Sequence, residues 1–145
     1  MMTACILIIE DDSASRELVR YLFATSGYAT LDAEDGSIGL LLALQASPDL
    51  VICDLQMPVM NGFEFVRRLQ EHPHWRRVPL IAVTAFSMVG DRETTLAAGF
   101  NDYITKPIAP ETFVAQIEAF LPPELRLGRA DQNAQEGDHG KNTDG

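Results

Sequence analysis

Basic residues are scarce in this chain: 11 lysines and arginines stand against 21 aspartates and glutamates, giving a formal charge of -10 over 145 residues. Long-range repulsion therefore disfavours direct binding to nucleic acid or to an anionic membrane, and favours basic partners or metal ions. Long apolar runs are also lacking. No stretch approaches the eighteen or so residues of a membrane span, and the N-terminus has neither the basic region nor the cleavage site of a signal peptide, so the chain reads as cytoplasmic. Cysteine is limited to Cys5 and Cys53. The first opens one predicted strand and the second closes another, an offset of about four residues or roughly 13 Å in parallel neighbours, beyond disulfide reach. Both are expected to be buried thiols.

What is present is a set of short apolar runs, 46% hydrophobic residues in all, enough for one globular core. Residues 6–9 run into Glu10-Asp11-Asp12, residues 50–53 into Asp54, residues 80–83 into Thr84, and residues 103–105 into Lys106-Pro107; a further run, 29–33, ends without a reactive group. Between them the apolar spacing changes to helical. Ser15, Leu18, Val19, Leu22 and Phe23 share one face, with Asp12 or Ser13 to cap the start and Gly27 to end it. Further helices are predicted near 35–46, 61–71, 89–98 and 110–121. Strands separated by helices need crossover connections, so the fold predicted is α/β: a doubly wound, five-stranded parallel sheet with helices on both faces. The carboxyl ends of the strands then share one edge, where open α/β sheets place their sites.

The groups gathered there suit phosphoryl chemistry. Glu10, Asp11 and Asp54 offer the hard oxygen ligands that Mg²⁺ (or Mn²⁺) prefers, with Asp11 and Asp54 binding directly, Glu10 through water, and the backbone carbonyl of Gln56 as a further ligand. Asp54 is also the candidate nucleophile, since a carboxylate forms an acyl phosphate when the incoming group is neutralised and in line. Lys106 supplies a point charge for one phosphoryl oxygen and the Thr84 hydroxyl a hydrogen bond for another.

These motifs, Ile-Leu-Ile-Ile-Glu10-Asp11-Asp12, Cys-Asp54-Leu-Gln-Met57-Pro58-Val-Met-Asn61-Gly62, Ala-Val-Thr84-Ala85 and Asp-Tyr103-Ile-Thr-Lys106-Pro107, resemble the CheY-like receiver domains of two-component signalling. Among these the pattern is most similar to single-domain regulators of the DivK group and to receivers of hybrid histidine kinases. The resemblance implies the flavodoxin-like strand order 2-1-3-4-5, a receiver over 1–121, and phosphate accepted by Asp54 from the phosphohistidine of a histidine kinase or histidine phosphotransfer protein. It further implies that Glu10 and Asp11 serve the metal, that Thr84, Lys106 and Tyr103 read the result, and that the Lys106-Pro107 bond is cis. Tyr103 would rotate inward as Thr84 is drawn to the phosphate, changing the surface of the fourth helix, fifth strand and fifth helix for a downstream protein. Gln56 and Phe86 would flank the water that removes the phosphate. The chain is then a phosphoacceptor switch rather than an enzyme, a monomer or a phosphorylation-dependent dimer.

Two alternatives remain at this level. The chain also reads as the receiver fragment of a hybrid kinase or larger regulator, or as a magnesium-dependent aspartyl phosphohydrolase of the haloacid dehalogenase type. The second requires an aspartate two residues after the nucleophile, where this chain has Gln56. Residues 122–145 are polar and aperiodic and read as a disordered tail. Trp75, within His72-Pro-His74-Trp-Arg-Arg, is expected to be a half-buried loop aromatic, and the two histidines hint only faintly at metal. The apolar run Ile38, Leu40, Leu41, Leu42 and Leu44 leaves its helix no polar face; core packing is the default, a dimer contact the alternative.

Overall fold

The computed structural model describes residues 3–85 and 90–127, with Arg76 by its backbone alone. Strands β1 (Cys5–Ile9), β2 (Ala29–Ala33), β3 (Leu50–Cys53), β4 (Leu80–Thr84) and β5 (Asp102–Thr105) alternate with helices α1 (Ser13–Thr25), α2 (Gly36–Ala46), α3 (Gly62–Leu69), α4 (Asp91–Ala98) and α5 (Pro110–Glu118). All strand pairs are parallel and the order is β2-β1-β3-β4-β5, as predicted.

Side chains alternate across each strand, so one sheet serves two cores. Leu7, Ile9, Val51 and Cys53 join Phe65, Val66 and Leu69 of α3 and Ala43 of α2 on one face. Ile6, Ile8, Ile52, Ile81 and Val83 join Val19 and Phe23 of α1 and Phe113 and Ile117 of α5 on the other. Burial on both faces is why the central strands read as continuous apolar runs. Asp12, Asp35 and Asn61 cap α1, α2 and α3, each accepting from a backbone N–H three residues on, so the polar residue after each strand or loop also starts the next helix.

Several expectations are corrected. Trp75 is 1% exposed, because a 3₁₀ turn over Pro73–Arg77 carries its ring into the core beside α3. Cys5 is only partly buried; Cys53 is buried, and the four-residue offset follows from the Ile9–Cys53 pairing. Helices α3 and α5 end earlier than the periodicity suggested, at Leu69 and Glu118. Residues 122–127, assigned to the tail, fold onto the domain through a 3₁₀ turn at Pro123–Leu125. Leu125 and Leu127 pack against the α1–α5 core, and the Arg126 guanidinium donates to the carbonyls of Leu121 and Ala119. Residues 128–145 lie outside the described residues.

Candidate functional site

Backbone bonds carry the sheet past the last paired residues and fix where the polar side chains emerge. The Asp54 N–H donates to Ile9 O at 3.0 Å, Glu10 N–H to Ala33 O at 3.0 Å, and Lys106 N–H to Thr84 O at 2.9 Å. Because Ile9 lies opposite Cys53, the residues that follow, Glu10 and Asp54, stand side by side. Residues separated by almost a hundred positions thus share one edge.

Lys106 is the hub. Its Nζ lies 2.7 Å from Glu10 Oε1 and 3.1 Å from Asp54 Oδ2. The peptide bond that follows it, to Pro107, is cis. Backbone donors hold the remaining carboxylate oxygens: Asp12 N–H donates to Glu10 Oε2 at 3.1 Å and Gln56 N–H to Asp54 Oδ1 at 3.2 Å. Carboxylate oxygens of Glu10, Asp11 and Asp54 all fall within 4.8 Å of one another, with Glu10 and Asp54 buried and Asp11 exposed. Such a set of hard oxygen donors fits Mg²⁺ or Mn²⁺. His72 and His74 join no group of three candidate ligands among the described residues.

Crowding and burial set the charges. Burial pushes the Glu10 carboxyl up to about 7, and the nearby Asp54 charge adds to that, against the hydrogen bonds from Lys106 and Asp12. Burial works against the Lys106 ammonium as well, yet its two carboxylate partners outweigh it and hold Lys106 above its ordinary value. The Cys53 thiol donates to Asp54 O at 3.1 Å, and burial keeps it protonated far above the usual thiol range.

Thr84 is fully buried at the end of β4. The Tyr103 ring packs half-buried against the core under α2, α3 and α4, and its hydroxyl is shut from solvent with no partner among the described residues. Gln56 is exposed beside Asp54; Phe86 lies outside the described residues. The turn after β3 needs glycine at 62, since a Cβ there would meet the Asp54 carbonyl oxygen at 2.5 Å. The requirement is close approach, whereas the positive φ of this turn, 70°, falls on Val59. Beside the polar cluster, an apolar cavity of about 340 Å³ opens between α1 and the turn after β5, lined in part by Leu18, Ile52, Val83 and Ile108.

Two arginines not singled out in the sequence support this edge. Arg16 Nη1 donates to Glu10 O at 2.9 Å while its Nε lies 3.4 Å from Asp32. Arg92 of α4 lies 3.1 Å from Asp102 and donates to Tyr103 O at 3.3 Å, tying α4 to β5. The only sequence signal was a helical arginine near an aspartate, which is too common to select.

The response regulator receiver domain profile matches residues 6–118. The polar-differentiation response regulator DivK of Brucella ovis is 38% identical over 120 residues, 83% of this chain and 98% of that protein. Chemotaxis protein CheY4 of Vibrio cholerae superposes with a TM-score of 0.78 at 29% identity, covering 83% of this chain and all of that one. The receiver domain of the sensor histidine kinase PA1611 of Pseudomonas aeruginosa, determined with a magnesium ion coordinated in its active-site cleft, gives 0.75 at 29% identity over 82% and 98% of the two chains.

Proposed function

The chain belongs to the response regulator receiver family of two-component systems, and on that premise we propose that Asp54 accepts a phosphoryl group from a phosphohistidine and converts it into a change of surface. The observation that carries the proposal is the Lys106 ammonium seated between Glu10 and Asp54 within a cluster of three carboxylates. In the transfer, an Asp54 oxygen forms the new bond to phosphorus as the phosphorus–nitrogen bond breaks, and the histidine nitrogen keeps the electron pair. Glu10, Asp11, Asp54 and the Gln56 carbonyl would hold Mg²⁺, which neutralises charge on the phosphoryl oxygens. Lys106 exchanges its Asp54 contact for a phosphoryl oxygen and Thr84 offers its hydroxyl to another. Tyr103, whose buried hydroxyl has no partner among the described residues, then relays the change to α4, β5 and α5.

The partners in this reading are a histidine kinase or histidine phosphotransfer protein on the donor side and a protein target on the other, all in the cytoplasm. A small acyl phosphate with Mg²⁺ is expected to add one base-labile phosphate, visible by intact mass and by phosphate-affinity electrophoresis. Asp54→Asn is expected to abolish it and Lys106→Ala to slow it. Persistent labelling of the Asn variant would place the acceptor elsewhere. Gln56 and Phe86 are proposed to flank the in-line path of water. Phe86→Glu, by supplying a group that orients water, is expected to shorten the phosphate's lifetime with Mg²⁺ saturating.

A further inference from the structure

Helix α2 packs with its small residues and displays its large ones. Gly36, Gly39 and Ala43 are buried. A Cβ on Gly39 would lie 2.4 Å from Ile9 Cδ1, and one on Gly36 2.4 Å from the Met60 carbonyl oxygen, so no larger side chain fits that face. Ile38, Leu41 and Leu44 are consequently turned outward, 41%, 56% and 40% exposed. At about 100° per residue they form one stripe opposite the buried face. Singly exposed leucines are ordinary. Here three follow one another on a helix that carries no charged side chain at all, in a chain of net charge -10. The core does not need their size and solubility disfavours it.

Charge identifies the occupant. The stripe begins beside the exposed Glu34 and the capping Asp35, and α2 offers no base. On the adjoining α3, Arg67 and Arg68 are engaged by Glu64, and Arg67 also by Glu71. A second copy packed parallel would bring acid to acid, and one packed antiparallel would set Glu34 and Asp35 against the uncharged end from Leu44 to Ser47, so neither supplies a base. We propose that this face docks an amphipathic helix of another protein, with an apolar stripe against Ile38, Leu41 and Leu44 and lysine or arginine at the end that meets Glu34 and Asp35. Three half-exposed side chains make a small interface, as in transient signalling contacts. None of the three side chains is among the groups gathered at the phosphoryl site.

The test titrates the ¹⁵N-labelled full chain with a synthetic amphipathic helical peptide bearing leucines on one face and a lysine pair at one terminus. Saturable amide shifts concentrated over residues 34–46 are expected. A peptide with serine for leucine should lose them, and Leu41→Glu should weaken binding by tenfold or more. If Leu41→Glu unfolds by circular dichroism, Leu41→Gln makes the same comparison. Absent shifts, shifts centred on another surface, or equal shifts with the serine peptide would overturn the proposal. So would an unliganded dimer in sedimentation that the Leu41 variant dissolves, because the face would then belong to a second copy.

Discussion

At the scale of single residues, Glu10 sets how the metal-free protein responds to pH. Its native carboxyl titrates near 7 against an ordinary 4.5, so between those values the native state holds a proton that the unfolded chain has lost. Stability is therefore full below the lower value and falls as pH rises through the window, by an amount on the order of a few kcal/mol. Urea midpoints taken without metal should drop from about pH 5 to about pH 7.5, and Glu10→Gln should flatten the slope. Mg²⁺ requires the ionised form, so the rise in Tm that it produces should grow across the same interval; a rise independent of pH would remove Glu10 from the ligand set. Val59 makes a second case. A β-branched side chain at φ 70°, 82% exposed, is strained and gains nothing from burial. Val59→Asn should stabilise by about 1 kcal/mol, read from the unfolding midpoint. Glu10, Asp54, Thr84 and Lys106 were legible because each is the polar residue that terminates an apolar strand. Val59 was not, since nothing in Met-Pro-Val-Met says which residue turns the chain.

At the scale of elements, the turn from β3 into α3 is held by a contact that admits no side chain. Gly62→Ala would set a Cβ 2.5 Å from Asp54 O and 3.0 Å from Leu55 Cα, both backbone atoms that cannot step aside. A loss of about 1–3 kcal/mol is expected. The displacement also reaches the candidate acceptor, so phosphorylation by a small acyl phosphate should slow in the variant even where it is fully folded. Unchanged kinetics would separate the turn from the chemistry. The strand pattern, the parallel pairing and the starts of α1, α2 and α3 followed from sequence, because burial on both faces and aspartate or asparagine caps leave local signals; α4, predicted from 89, begins at Asp91 after an uncapped Gly90. The orientation of α2 did not. An almost uniformly apolar helix has no polar face to point outward, and only the distance of Gly39 from Ile9 decides which side is buried. Trp75 escaped for the opposite reason: its neighbours are polar, and a 3₁₀ turn has too few residues to show a period.

At the scale of the whole molecule, the folded unit extends beyond the last strand–helix pair. Tyr28 donates to the buried Glu118 and accepts from the Leu127 N–H at 2.9 Å, and Leu127 lies against Gly27. Relative to truncation after Leu127, truncation after Leu121 should lower the unfolding free energy, read from urea curves, by about 1–3 kcal/mol through lost apolar burial and the lost Arg126 contacts. Equal stability of the two would return the boundary to 121. The Pro122-Pro123 pair and polar composition hid this segment, since two leucines alone make no period. The Tyr28–Leu127 bond spans 99 positions, from the residue before β2 to the segment after α5. During synthesis the early strands leave the ribosome while the segment that closes over Tyr28 is still untranslated. Closure must await release of nearly the entire receiver, so a chain stalled short of that point presents its acidic site on an unfinished body.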